Sequence, residues 1–161
     1  MFDEGLSFDR IVVGSGSSGT HGGLVAGFLG NNIRIPIVGI GVSRDLPDQQ
    51  PLVLKEAQAV LDLLGVDIRV KPEHVNCVGG YWQPKYSMGN QRMVEAVQML
   101  ARTEGIPLDP VYTGKIMAGL IGLARSGELK AGEDVLFLHT GGLPSLHAYE
   151  REVLGEIKLP A

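Results

Sequence analysis

The chain has 161 residues, with 14 Lys and Arg against 18 Asp and Glu, a formal charge of −4 and 44% hydrophobic residues. This is the balance of a globular domain long enough to bury a core, and it lacks the clustered basic residues that a nucleic-acid backbone calls for. No apolar run approaches the roughly 20 residues of a membrane span, no signal-peptide pattern opens the chain, and the lone Cys77 excludes an internal disulfide and a cysteine-built metal site. A cytoplasmic enzyme or binding domain follows, without membrane or nucleic-acid partners.

In chain order, Met1–Gly5 reads as the last turn of a helix closed by glycine, so the chain is expected to begin partway through a longer fold. Arg10–Val13 is a short buried strand and Thr20–Leu29 a helix of small residues. Ile35–Val42, apolar throughout, has the pattern of a strand covered on both faces. Leu54, Ala57, Leu61 and Leu64 recur at helical spacing and predict a helix over Pro51–Leu64, and Val66–Val70 is a candidate third strand. A loop-like segment, KPEHVNCVGGYWQPKYSMGNQ, follows. Met93, Val94, Val97, Leu100 and Ala101 mark a helix ending near Gly105, a further helix runs from Lys115 to Arg125, and Asp134–His139 is a strand. No internal repeat or low-complexity tract is present. Strands alternating with helices imply a single α/β domain over residues 1–161, a three-layer parallel sheet with helices on both faces, with ligands at the carboxyl ends of the strands.

Glycine is over-represented, at 23 residues, and clusters beside apolar runs rather than in a linker. The first cluster, IVVGSGSSGTHGG, contains Gly14-x-Gly16-x-x-Gly19 between a strand and a helix and so matches the dinucleotide fingerprint. That fingerprint expects an acidic residue about 20 positions on. The chain offers Asn31, Asn32 and Arg34 there, and Ser43-Arg44 after the next strand, which leaves an NADP-binding oxidoreductase domain as an alternative. A triphosphate loop fails, because no Gly-Lys-Ser/Thr closes it. Ser15, Ser17, Ser18 and Thr20 instead supply hydroxyls beside backbone N–H groups at a helix start, the equipment of a cup for a terminal monophosphate.

Asp109-Pro110-Val111-Tyr112-Thr113-Gly114-Lys115, continuing to Leu120, and Phe137-Leu138-His139-Thr140-Gly141-Gly142-Leu143-Pro144 carry a resemblance beyond the loop. With it they resemble the C-terminal signatures of a fold-type II pyridoxal-phosphate family, tryptophan-synthase-β-like in fold, that contains D-cysteine desulfhydrase, L-cysteate sulfo-lyase and 1-aminocyclopropane-1-carboxylate deaminase. The similarity runs from Asp9 to about Tyr149. It implies pyridoxal 5'-phosphate as cofactor, a small amino-acid substrate and a homodimer. It further implies that Gly16, Ser17, Ser18, Gly19 and Thr20 hold the cofactor phosphate, that Thr140 faces the pyridine nitrogen, and that Tyr86 and Tyr112 approach the substrate. The hydroxyl pair Thr113 and Thr140 matches the desulfhydrases, whereas the deaminases carry Glu and Leu there. The implied reaction is β-elimination from a cysteine-like amino acid, giving pyruvate, ammonia and sulfide or sulfite.

Two departures accompany the resemblance. The family's Schiff-base lysine stands in an N-terminal Gly-Asn-Lys context, with a serine following, that nothing here matches. Lys55 and Lys130 read as surface residues, and Lys115 belongs to the shared Thr-Gly-Lys run. The chain is therefore expected to be the C-terminal portion of the catalytic domain, inactive alone, with a separate N-terminal half as one possible partner and a non-catalytic fragment as the competing reading. Where relatives often read Tyr-Gly-x-Pro-Asn, this chain reads Tyr86-Ser87-Met88-Gly89-Asn90. Lys85 just before it is a candidate for attracting an anionic leaving group, against the plain alternative of a solvated loop lysine. His21 reads as packed or capping rather than catalytic, His139 as orienting its loop, and Cys77 as a small buried hydrophobe. His74, His147 and the carboxylates show no metal-ligand spacing.

Overall fold

In the computed structural model, which describes residues 4–156 and 158–160, the β-branched run after Asp9 forms strand β1 (Arg10–Ser15). It pairs in parallel with β2 (Ile37–Gly41) on one side and β4 (Val135–Phe137) on the other. β3 (Asn76–Val78) adds to β2, giving the order β3-β2-β1-β4. Successive strand side chains point to opposite faces, and two cores result. Ile11, Val13, Ile37 and Cys77 face α1 (Gly19–Gly30) and α2 (Leu46–Leu63), meeting Val25, Ala26, Val53, Ala57 and Leu61. Val12, Val38, Ile40 and Val42 face the opposite way onto Ile116 and Leu123 of α4 (Thr113–Ser126). α3 (Gln91–Glu104) packs on the outer side of α4 through Met93, Val94 and Val97, and the short α5 (Glu150–Val153) lies against it. The expected parallel sheet with helices on both faces is therefore present.

Element boundaries moved where neighbours along the chain are poor guides. Val66–Val70 is not a strand: its backbone is taken up by Gln58 of α2, which accepts from Val70 N at 2.9 Å and donates to Ile68 O at 3.2 Å. The third strand is Asn76–Val78, inside the stretch read as loop, because three residues give too short a run for an alternation signal. α2 starts at Leu46 rather than Pro51. Pro47 occupies its first turn, and Pro51 stands one turn in, where the missing N–H removes a single intrahelical bond. Of the predicted helix end at Met1–Gly5, Met1 to Asp3 lie outside the described residues, and Glu4–Gly5 form a turn with Gly5 at φ +64°. Among the described residues, no helix is long and apolar enough to cross a membrane.

All strands being parallel, the segments after β1, β2 and β4 emerge at one edge. Residues distant in sequence meet there.

Candidate functional site

A cleft of about 300 Å³ opens at that edge, lined by Gly14, Gly16, Ser17 and Thr20 on one side and Thr140, Gly141 and Gly142 on the other. Tyr112 closes one end, and Val42 and Ile116 supply apolar walls. Ser17, Thr20 and Thr140 are exposed, so their hydroxyls are free to meet a ligand beside the N-terminus of α1. A Cβ on Gly14 would stand 2.6 Å from Ile116 Cδ1, and one on Gly16 would stand 3.0 Å from Val42 Cγ2. The cradle is hollow because these residues lack side chains.

The hydroxyls of the loop divide into two pairs. Ser17 and Thr20 face outward, whereas Ser15 and Ser18 are buried and turned to the protein interior. Gln49 of α2, itself buried, donates from one amide nitrogen to Ser15 Oγ at 2.9 Å, Ser18 Oγ at 3.0 Å and Gly16 O at 3.1 Å. This holds Ser18 in a left-handed conformation, φ +77°, where serine is strained and α1 begins. Ser15 Oγ accepts from Gln49, so its own hydrogen is directed at His21 Nδ1, 3.0 Å away. His21 is thereby assigned as the neutral tautomer with its proton on Nε2, and burial lowers its pKa to about 4. Cys77 Sγ lies 4.0 Å from the same nitrogen, and burial pushes its pKa up to about 11, so it is an inert thiol. The ring lies directly over Gly39 of β2, and any side chain there would overlap it. His21 is thus a packed residue under the loop, as expected for a lone histidine at a helix start.

The far wall is built on Asp109. Its buried carboxylate accepts from Val111 N at 2.9 Å, Tyr112 N at 2.8 Å, Thr113 N at 2.7 Å and Thr113 Oγ1 at 2.7 Å. In return Asp109 N donates to Thr113 Oγ1 at 2.8 Å. The reciprocal pair satisfies the donors at the start of α4 and sets Tyr112 at the cleft mouth. Gly142, at φ +92°, sits so close that a Cβ would lie 2.7 Å from Asp109 Cγ. His139 links the neighbouring loop by Gly141 N donating to its Nδ1 at 3.2 Å, while its Nε2 lies 3.1 Å from Pro107 O, an orienting arrangement.

Tyr86 reaches the cleft mouth from the loop before α3, and its phenol shares a hydrogen bond with that of Tyr112. The rings meet edge-on, with centroids 6.0 Å apart. That bond, with some burial, raises the Tyr112 pKa above its ordinary value. Thr140 and Tyr112 line the cleft with Gly16, Ser17 and Thr20. Thr113 does not: it is buried behind Tyr112 with its hydroxyl engaged by Asp109. Ser18 and Gly19 shape the loop without lining the cleft. Gln49, Asp109 and Lys115 carry structural duties that motif reading did not assign. A charged residue inside the otherwise apolar or small run Thr113–Gly119 was the available signal for Lys115, and Gln49 had none. Lys55, Lys85 and Lys130 are exposed. Among the described residues, no group of His, Cys, Asp and Glu is placed to hold a metal.

A hydroxyl-and-glycine cup at the end of a parallel strand, faced by Thr140 and a tyrosine pair, defines the class. Residues 2–141 match the family described as pyridoxal-phosphate dependent enzyme, and the chain belongs to it. Its relatives include D-cysteine desulfhydrase of Yersinia enterocolitica, 40% identical over 148 residues, which are 92% of this chain and 44% of that protein. D-cysteine desulfhydrase of Serratia proteamaculans has the same identity and coverage, 40% over 92% of this chain and 44% of its own length. A crystal structure of an ACC deaminase homologue superposes with a TM-score of 0.80 at 37% identity, covering 95% of this chain and 45% of that one. The chain therefore spans less than half the length of the relatives it matches.

Proposed function

We propose that this chain is the C-terminal portion of a pyridoxal-phosphate lyase acting on a small cysteine-like amino acid, D-cysteine first among the candidates. The observation that carries this is the cleft itself: exposed hydroxyls and a helix N-terminus at one end, apolar walls in the middle and a tyrosine pair at the mouth. The residues present fit the cofactor. Ser17 and Thr20, with the Gly16–Gly19 backbone, would hold its phosphate, and Ser18 would contribute through its backbone conformation rather than its hydroxyl. Val42 and Ile116 would flank a flat ring, and Thr140 would offer a hydroxyl to its nitrogen. Once bound, pyridoxal phosphate supplies an electron sink for removal of an α-proton and loss of a β-substituent. The protein's part is to orient: Tyr112 and Tyr86 share one hydrogen bond at the mouth and are available to hold or pass a proton to a substrate atom. Thr113 supports Tyr112 through Asp109. A hydroxyl at Thr140, which provides no permanent charge, suits elimination better than cyclopropane opening, which requires stronger electron withdrawal. The cytoplasm, a homodimer and a separately supplied N-terminal part belong to the same reading.

Equilibrium dialysis of the chain against pyridoxal phosphate and unphosphorylated pyridoxal tests the cup. The phosphate ester is expected to bind at least about tenfold more tightly, and Thr20→Val to weaken it about tenfold, the loss of one hydrogen bond to a charged group. Equal binding of the two compounds would overturn the assignment. Adding the N-terminal part of the Yersinia enterocolitica relative and assaying D-cysteine, L-cysteate and 1-aminocyclopropane-1-carboxylate tests the reaction. Pyruvate with sulfide from D-cysteine is the expected result. Sulfite release from L-cysteate, abolished by Lys85→Ala, would move the substrate to the sulfonate, and product from none of the three would make the chain a non-catalytic domain.

A further inference from the structure

Among the described residues, the largest fully buried side chain is a charged one, Lys115 in the first turn of α4. Taking an ammonium out of water is strongly unfavourable unless its donors are matched. Its matches are backbone carbonyls: Nζ donates to Trp82 O at 3.1 Å and Lys85 O at 3.4 Å. It does not line the cleft. The residues it grips belong to the stretch between β3 and α3, which has no strand or helix of its own from Gly79 to Asn90. Four other side chains hold this stretch: Asp45, Asn90, Arg92, which donates to Gly80 O at 3.3 Å, and Tyr149, whose hydroxyl donates to Ser87 O. Asp45 accepts from Gly80 N at 3.2 Å, Trp82 Nε1 at 2.9 Å and Gln83 Nε2 at 3.3 Å, and Asn90 donates to Tyr81 O at 3.1 Å and Gln83 O at 2.7 Å. Asp45, Asn90 and Arg92 act on residues 80–83, upstream of Tyr86, and Tyr149 acts on Ser87 just after it. Lys115 alone among these five holds both sides of the Gln83-Pro84 corner, one carbonyl before it and one immediately before Tyr86, and it alone does so from the element that starts beside Tyr112. The lysine thus joins the element carrying one tyrosine to the loop carrying the other.

We propose that Lys115 is a positioning residue, pinning the 80–90 loop onto α4 and so holding Tyr86 against Tyr112. That these tyrosines serve a substrate rests on the function proposed above; the pin itself does not. Burial, partly opposed by the Asp109 carboxylate, lowers the Lys115 pKa to about 8. The pin survives this, because a neutral amine retains two N–H donors for two carbonyls.

Trp82 is the only tryptophan in the chain, so its emission reports on the gripped segment alone. In Lys115→Met, which keeps the buried volume and removes the donors, the acrylamide quenching constant of Trp82 is expected to rise about threefold as the loop opens locally. Absorbance titration of the tyrosines should change, the Tyr112 phenol returning toward its ordinary value because it no longer has Tyr86 as partner. Affinity for pyridoxal phosphate should change by less than about twofold, the cup being a separate set of contacts. A folded variant with unchanged quenching and an unchanged tyrosine titration overturns the proposal. So does a loss of cofactor affinity as large as that of Thr20→Val, which would make Lys115 a support of the whole cleft. Should Lys115→Met not fold, acetylation of the unaltered chain with mass-spectrometric readout decides. Lys115 is expected to react at least about a hundredfold more slowly than exposed Lys55 and Lys130, as an amine reached only through local opening, and comparable rates would overturn the pin. If the unaltered chain binds no pyridoxal phosphate, the functional reading fails, while the Trp82 and tyrosine readouts still decide the role of Lys115.

Discussion

Replacing Asp109 with alanine is expected to destabilise the chain by about 3–5 kcal/mol, the range for removing one side of a buried charged hydrogen-bond cluster. The variant leaves the backbone N–H groups of Val111, Tyr112 and Thr113 without their carboxylate, at a helix start where no intrahelical acceptor exists. It also leaves the Lys115 ammonium buried without the carboxylate that favours its charge. Asp109→Asn keeps the volume and one acceptor oxygen but turns an NH₂ toward N–H donors, so about half of that loss is expected. Urea unfolding at constant m-value measures both. An alanine variant within about 1 kcal/mol of the unaltered chain would mean that the Asp109 turn is held by the packing of Ile116 and Leu108 and not by the carboxylate. A second readout is affinity: because Asp109 sets Tyr112 and abuts Gly142, both on the cleft wall, cofactor binding should weaken along with stability.

Lowering the pH from about 7.5 to about 5 is expected to remove about 2 kcal/mol of stability through His21 alone. The unfolded imidazole takes its proton near 6.5, whereas the buried one resists until about 4. Between those values the unfolded chain binds more protons, so stability falls as the pH falls. The contribution is complete above 6.5 and fully lost, at about 3 kcal/mol, below 4. His21→Gln does not titrate there, and its stability should run flat across the same window apart from the carboxylates at the acid end. Stability of the unaltered chain that does not change between about pH 7 and pH 5 would show that the ring is solvated or protonated in the folded state. The effect bears on function because the ring sits under the loop: a protonated His21 Nδ1 can no longer accept from Ser15, and the Gln49–Ser15–Ser18 network that fixes the cup must rearrange.

Much of the fold was legible because its signals are local. Val12, Val38 and Ile40 sit in apolar β-branched runs that only a doubly covered strand requires, and Leu54, Ala57 and Leu61 repeat at the helical period. The same locality explains the misses. Val66–Val70 has strand composition, yet its hydrogen bonds go to the Gln58 side chain. Asn76–Val78 has almost no pattern, yet it pairs because β2 offers a free edge. At the site, the motif residues Gly16, Ser17, Thr20, Tyr112 and Thr140, far apart in sequence, line one cleft. Composition counted Ser15 and Ser18 with them, since a hydroxyl in a glycine loop carries no mark of which way it points.

What the chain determines by itself is therefore the parallel sheet and the glycine-rich loop after its first strand. These follow from periodicity and turn chemistry, which act between neighbours along the backbone. Only the tertiary structure decides which hydroxyls face the cleft, because Gln49 arrives from another helix and claims Ser15 and Ser18. It likewise decides that Lys115 is a clamp rather than a surface charge, since the carbonyls that make its burial tolerable belong to a loop 33 residues away at Trp82 and 30 at Lys85. Partners for buried polar groups are set by where elements meet in space, and nothing in the local sequence encodes that meeting.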